Sequence, residues 1–390
     1  MYLRNFTSRK MLAQITFIIF AMFLVACDPG ALGNGPTVNL NKPIPVALLV
    51  PGGSENSGDA VLAASLENAA RLAIADLQGV QIDLRVYNTA GNAEIAADMA
   101  SKAVNEGAKI ILGPVFAQSA AAAGVAVANR NVNLLAFSNN TSVAGGNVFI
   151  LGPTFQNTAD RLAGFAVARS KSNILIIAGQ SPAETIASDA ISRAIANSGG
   201  SIAGVSTFEV SQKGVINAIP QISQDVRNSG AQAIFLTSGN SGALPFLAQL
   251  LPENGLDTTE IQYIGLQRWD IPTTALTLPG VQNGWIALPD PNLSATFQSR
   301  YDATYGTNPH PIAGLAYDGI AAIGALVANG QSDALTRSAL TQASGFVGVN
   351  GVFRLMADGT NQRGLAVAQI QESQVVVIDP APTSFGATGF

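Results

Sequence analysis

Chemistry that needs a thiol or an imidazole has one residue of each to draw on in this 390-residue chain, Cys27 and His310. His310 stands in Asn308-Pro309-His310-Pro311, where two prolines hold the backbone extended. That setting suits a structural turn better than a proton carrier. Gly179-Gln180-Ser181-Pro182-Ala183 falls one glycine short of a nucleophile elbow, and Pro182 reads as the first-turn proline of a helix. With no histidine to serve it, Ser181 has no triad. Asp318 and Asp358 have no sequence neighbour that marks a general acid and base. A zinc site of the usual Cys and His composition is excluded by the same two counts. Gly30-x-x-Gly33-x-Gly35 has no strand before it and no helix pattern after it, so it is not a phosphate loop. Neither an enzyme nor a cofactor is expected.

Arg268-Trp269-Asp270 is different, because a charged pair flanks an indole directly after the strand run Tyr263-Ile264 and Gly265. Two readings stay open. In one, the stretch is an exposed loop with both charges solvated. In the other, Trp269 and Gln267 stand at the mouth of a cleft, an aromatic face and an amide for a sugar or peptide fragment. Phe116, Asn139, Asn140 and Thr141 would face them. Amides donate and accept without net charge, so a small neutral ligand is expected there.

The leader constrains the address. Arg4, Arg9 and Lys10 precede an apolar run from Ile15 to Ala26, the layout of a signal peptide and too short for a membrane span of about 20 residues. Leu24-Val25-Ala26-Cys27 resembles the lipobox of bacterial lipoproteins. That resemblance implies cleavage after residue 26, a diacylglycerol on Cys27 and a body lipid-anchored on the periplasmic side of the cell envelope. Asp28 resembles an inner-membrane retention signal; inner and outer membrane both stay open. An acylated Cys27 forms no disulfide. The chain carries 20 basic and 25 acidic side chains, a net of −5, and the leader holds only basic ones, so the body is more acidic still. Nucleic acid is thereby excluded as a partner. Residues 27–43, rich in Gly, Pro and Asn, read as a flexible tether.

From Ile44 the chain alternates short β-branched runs with alanine-rich helical segments. Val46–Val50, Ile82–Tyr87, Lys109–Leu112 and Asn133–Phe137 are strands. Leu62, Leu66, Ala69, Ala70, Ala73, Ile74 and Leu77 fall at helical spacing between the first two. A second series places strands at Asn173–Ala178, Ser201–Phe208, Ala231–Thr237 and Ile261–Ile264, with helices near 183–198, 214–229 and 241–251. The last third supplies helices near 293–305 and 313–329 and strands near 349–354, 365–370 and 374–378. This rhythm means βαβ units and parallel sheets covered on both faces. The fold class is α/β, as two doubly wound lobes.

Pro45-Val46-Ala47-Leu48-Leu49-Val50-Pro51, Ile110-Ile111-Leu112-Gly113-Pro114-Val115-Phe116, Leu135-Ala136-Phe137-Ser138-Asn139-Asn140-Thr141 and Ala316-Tyr317-Asp318-Gly319 together resemble the type 1 periplasmic binding proteins, leucine/isoleucine/valine branch, over residues 44–380. The resemblance implies three crossings between lobes, expected near Leu151–Phe155, Trp285–Pro289 and Ser344–Val349. Lobe 1 is then about 44–152 and 287–345, lobe 2 about 153–286 and 346–380, and 381–390 a tail. It implies a ligand cleft among Ser54, Phe116, Ala117, Gln118, Ser138, Asn139, Asn140, Thr141, Gln180, Ser238, Asn240, Gln267, Arg268, Trp269 and Tyr317. In the amino-acid binders an acid neutralises the ligand ammonium and a hydroxyl grips its carboxylate; Gln267 and Ala117 stand at those places here. A buried ammonium without its counter-charge costs several kcal/mol, so a free branched-chain amino acid is not expected unless Asp270 takes over.

Gly265-Leu266-Gln267-Arg268-Trp269-Asp270, Gly113-Pro114-Val115 and the lipobox also resemble the lipoprotein activators of penicillin-binding proteins. This implies a non-enzymatic regulator of peptidoglycan synthesis whose partner is a cell-wall synthase. The alternative is the substrate-binding subunit of an ABC importer for amino acids or another small polar solute, with an ABC permease as partner.

Overall fold

The computed structural model describes residues 35–386; the leader, Cys27 and residues 387–390 lie outside the described residues. Strands β1 (Ile44–Val50), β2 (Ile82–Asn88), β3 (Ile110–Leu112), β4 (Asn133–Ala136) and β5 (Val148–Ile150) form a parallel sheet in the order β2-β1-β3-β4-β5. On β1, Val46, Leu48 and Val50 enter one core while Ala47 and Leu49 enter another. An unbroken apolar run is what a strand buried on both faces requires. Helix α1 (Ser57–Asp76) covers the first face, and α2 (Ala93–Asn105) and α3 (Ala117–Val127) cover the second. Asn56 and Asn92 cap α1 and α2 through their side-chain oxygens.

The chain crosses between Ile150 and α4 (Phe155–Ala168), where Thr154 and Asn157 close a capping box. A second parallel set follows: β6 (Asn173–Gly179), β7 (Ser201–Phe208), β8 (Ala233–Leu236), β9 (Gln262–Gly265) and β10 (Trp285–Leu288). Helices α4 and α5 (Pro182–Asn197) lie on one face, α6 (Gln212–Ser229) and α7 (Leu244–Glu253) on the other. A second crossing after Leu288 leads to α8 (Pro291–Tyr305), α9 (Gly314–Ala328) and α10 (Arg337–Leu340), whose apolar faces join the core of β1.

The third crossing falls later than expected. β11 (Phe346–Gly348), β12 (Gly351–Leu355) and β13 (Asn361–Arg363) make a small antiparallel sheet. Phe346, Phe353 and Leu355 pack in the first-lobe core. The Asn361 amide donates to the carbonyls of Ile150 (2.8 Å) and Gly152 (2.9 Å). Residues 346–363 therefore side with lobe 1, and the crossing lies between Arg363 and β14 (Ala366–Gln371). The strand expected near 349–354 corresponds to β12, and its apolar residues carried no mark of which core they cover. β14 and β15 (Gln374–Asp379) then join the second sheet antiparallel, giving the order β15-β14-β10-β9-β8-β6-β7. Glu372 and Ser373 both take positive φ in the tight turn between them.

The tail, read as a loose end from residue 381, is packed as far as it is described. Ala381 is buried in the second-lobe core, and the Arg354 guanidinium of β12 lies 4.7 Å from the Phe385 ring centroid. At the crossings Asp318 of α9 and Arg363 of β13 form a buried ion pair, Nη1 to Oδ2 at 3.4 Å, with side chains 0% and 2% exposed. Asp318 also accepts from the Val349 N–H (2.8 Å) and the Asn350 amide (3.0 Å), while Arg363 Nε donates to the Leu151 carbonyl (3.1 Å). Burial raises the Asp318 pKa and lowers that of Arg363, so each charge is desolvated at a cost that the other offsets only in part.

Candidate functional site

Open α/β sheets present ligands to the carboxyl ends of their strands, beside the point where strand order reverses. In the first sheet that point lies between β1 and β3, in the second between β6 and β8. Loops from both lobes enclose a cavity of about 320 Å3, walled by Asn139 after β4, Gln267 and Arg268 after β9, Phe155 at the first crossing, and Ile312 and Arg363. An adjoining cavity of about 430 Å3 shares Asn139, Thr154 and Phe155. It sets Asn140, Thr141 and Ser142 against Ala183, Ile186, Ala190 and Arg193 on α4–α5's side of the cleft.

Gln267 donates to the Thr237 carbonyl at 2.9 Å and rests on Gly239, where a Cβ would come within 2.4 Å of its Oε1. Arg268 is held by Asp270, Nε to Oδ1 at 2.7 Å, with a second contact from Nη2 to Oδ2. Asp270 is thus spent on Arg268 and does not stand in for the missing acid. Trp269 overturns its expectation. The indole is fully buried in the second-lobe core, in a slot made by two glycines: a Cβ at Gly265 or Gly284 would come within 2.3 or 2.5 Å of its ring. After β9 the chain sends its largest apolar group inward, and burying so large a side chain outweighs any use at the cleft mouth.

The other expected residues divide. Asn139, Asn140 and Thr141 are exposed and line the cleft, the Asn140 side chain accepting from the Ser142 N–H at 2.9 Å. Ser138 is buried and shapes that loop through the Asn140 N–H (3.1 Å). Ser54 does the same after β1 by accepting from the Asn56 N–H (3.1 Å). Phe116, Ala117 and Gln118 open α3 at the carboxyl end of β3, with the Phe116 ring against Gly91; they are not in the walls of these two cavities. Gln180 donates to Thr207 Oγ1 (3.0 Å) and lines a separate cavity of about 490 Å3 at the β6–β7 edge. Asn240 holds the carbonyls of Trp269 (3.1 Å) and Ile271 (2.9 Å). Tyr317 is a second correction. Its hydroxyl donates to Asp76 at the end of α1, beside the Asp76–Arg300 ion pair, so α9 turns it away from the cleft. His310 serves its turn: its backbone N–H donates to Ser65 Oγ (2.7 Å), and burial lowers its pKa.

Two functional candidates escaped the sequence reading. Glu184 accepts from the Gly179 N–H (2.5 Å), Thr237 Oγ1 (2.5 Å) and the buried Ser238 hydroxyl (2.8 Å), tying the carboxyl ends of β6 and β8 together. Its signal was present: Ser181-Pro182-Ala183-Glu184 has the spacing of a capping box. Ser181 does cap Glu184 (3.3 Å), but the carboxylate reaches Gly179 instead of returning to Ser181. Arg193 lies on the cleft side of α5, and nothing in the sequence distinguished it from any exposed helical arginine. Among the described residues no group of three Cys, His, Asp or Glu side chains is placed to hold a metal ion. The arrangement presents amides, hydroxyls and guanidinium edges over an apolar floor.

Comparison with curated protein sequences gives no match. Solved structures resemble the chain along most of its length. An ABC transporter protein of Rhodospirillum rubrum, assigned to branched-chain amino acids, aligns at 18% identity and a TM-score of 0.74 over 86% of this chain and 100% of that one. A branched-chain amino acid ABC transporter periplasmic ligand-binding protein from Burkholderia xenovorans LB400 aligns at 17% and 0.68, over 88% and 96%. An ABC transporter substrate-binding protein of Desulfitobacterium hafniense, in complex with Leu, aligns at 16% and 0.64, over 86% and 100%. At such identities these likenesses speak for the fold. The sequence profile of the periplasmic binding proteins matches residues 43–374, and with it this chain of two wound lobes, crossed three times, belongs to the periplasmic binding protein family, in the type 1 fold.

Proposed function

We propose that this protein is the solute-binding subunit of an ABC importer, held at the envelope by an acyl chain on Cys27, with a permease as its partner. The observation that carries the reading is the pair of adjoining cavities between the lobes, walled from the carboxyl ends of both sheets. The descriptions of the structural neighbours as importer components support it. The other expectation, regulation of a penicillin-binding protein, leaned on the Gly265–Asp270 stretch. That stretch is taken up internally, Trp269 in the core and Asp270 on Arg268, so it offers a synthase no exposed indole. The solute is small and polar, and Gln267 in the cavity wall, where the amino-acid binders place an acid, speaks against a free branched-chain amino acid.

A thermal-shift screen of solutes tests the reading. A ligand at one hundred times its Kd adds about 2.7 kcal/mol to the stability of a receptor, so a true solute raises Tm plainly. The result against it is a screen with no stabilising solute, together with a membrane pull-down that brings down a cell-wall synthase and no permease. For the anchor, intact mass of membrane-extracted protein is expected to show loss of residues 1–26 and added acyl mass. Cys27→Ala is expected to leave the leader in place; a mature chain starting elsewhere would rule the anchor out.

A further inference from the structure

The cleft of this acidic protein is lined by cations. Arg268 and Arg363 line the cavity at the crossings and Arg193 the adjoining one, and neither wall contains an Asp or Glu. The carboxylates close by are turned away and engaged. Asp270 holds Arg268, Asp318 holds Arg363, and Glu184 is saturated by Gly179, Thr237 and Ser238. Asp160 is bonded by the Gln156 amide at 2.7 Å; burial raises its pKa, against the smaller lowering by that amide and by the nearby Arg193 charge, with which it forms no ion pair.

The three guanidiniums differ in what they have left to give. Arg363 has Nε and Nη2 on the Leu151 carbonyl and Nη1 on Asp318, and with its side chain only 2% exposed it contributes field, not a bond. Asp270 occupies Nε and Nη2 of Arg268, which leaves Nη1. Arg193 gives only Nε, to Gln156 Oε1 at 3.0 Å, and forms no ion pair among the described residues. An anion in either chamber therefore meets a free guanidinium edge, the group best shaped for a carboxylate. An ammonium in either chamber meets amide and hydroxyl oxygens and no counter-charge.

Resting on the importer reading, we propose that the solute is an organic carboxylate without an ammonium group, its anion bonded by Arg268 in the chamber at the crossings, with the charge of Arg193 in the adjoining chamber adding to the field that draws it in. Phe155, Ile271, Ile312 and Leu315 supply the apolar surface for its carbon body. This replaces the neutral ligand expected from the sequence, where Trp269 was placed in the cleft and Arg193 was not.

Matched probes isolate the charge from the shape. Calorimetric titration with 4-methylpentanoate, 4-methylpentanamide, isoamylamine and leucine, and in parallel with benzoate and benzamide, compares two carbon bodies. The carboxylate is expected to bind at least about tenfold more tightly than its amide and more tightly than leucine, with the amine not binding. Arg268→Gln should weaken the carboxylate about tenfold or more and Arg193→Gln should weaken it by less, whereas Arg71→Gln, outside these cavities and paired only with Glu67, should leave it unchanged. Thermal unfolding of each variant checks that it folds. An amide or leucine that binds as tightly as the carboxylate, or a carboxylate indifferent to both variants, overturns the assignment. Silence from both probe series, with another solute class stabilising the protein, sinks the anion and leaves the importer standing. Silence from every solute sinks both.

Discussion

Removing one member of the Asp318–Arg363 pair should be among the most damaging single changes in this protein. Asp318→Asn keeps the shape and an oxygen for the Val349 N–H (2.8 Å), but it leaves the Arg363 charge, 2% exposed, with no counter-ion. Breaking a buried pair from one side costs about 3–5 kcal/mol. Arg363→Gln leaves the opposite orphan and should cost about as much. Strict additivity would then place the double variant at roughly 6–10 kcal/mol. We expect instead that Asp318→Asn with Arg363→Gln is no worse than the harsher single variant, a coupling of at least ~3 kcal/mol. The reason is that burial opposes both charges, raising the Asp318 pKa and lowering that of Arg363. Urea unfolding at neutral pH reads the effect. Trp269 and Trp285 both sit in second-lobe cores, so fluorescence follows that lobe and far-ultraviolet circular dichroism follows the whole. Damage centred on the first lobe and the crossings should move the dichroism transition first. A single variant within ~1 kcal/mol of the parent, or an additive double, would refute the reasoning.

Titration with free leucine, isoleucine and valine should show weak binding: losing the buried charge-assisted bond to the ammonium at Gln267, ~1.5–3 kcal/mol, weakens affinity at least ~10-fold, and submicromolar valine binding would contradict it. Gly265→Ala puts a Cβ 2.3 Å from the Trp269 ring and should cost about 1–3 kcal/mol by overpacking, relieved in part by adding Trp269→Phe; denaturant midpoints decide. The Tyr87 hydroxyl donates to Glu106 at 2.6 Å, and burial together with that carboxylate pushes its pKa to about 12. The folded state keeps the proton that the unfolded chain releases near pH 10, so this contribution is complete below pH 10 and fades as pH rises toward 12. Thermal unfolding of Tyr87→Phe against the parent should show the gap narrowing over that window, and parallel curves would count against it.

How much of this was legible in one dimension follows from how local each cause is. Strands such as β1 and β6 declared themselves because burial on both faces demands an unbroken apolar run. Pro182 marked a helix start because a first-turn proline sets its own φ and needs no hydrogen-bond partner. The order of such elements was enough for two wound lobes and for the carboxyl-end loops, and with them Asn139, Asn140, Thr141, Gln267 and Arg268 in the cleft. Cys27 rests on sequence alone, since it lies outside the described residues. The rest depended on partners distant in the chain. Trp269 and Tyr317 looked like cleft residues until the slot between Gly265 and Gly284, and Asp76 at the end of α1, claimed them. Residues 346–363 read as part of lobe 2 until Phe346 and Phe353 found the core of β1. Asp318 and Arg363, and Arg193 across the cleft from Asn140, acquire meaning only when the crossings bring the lobes together. Periodicity and capping are written along a few residues; side-chain direction at a strand end and the pairing of buried charges are settled by what folds back against them.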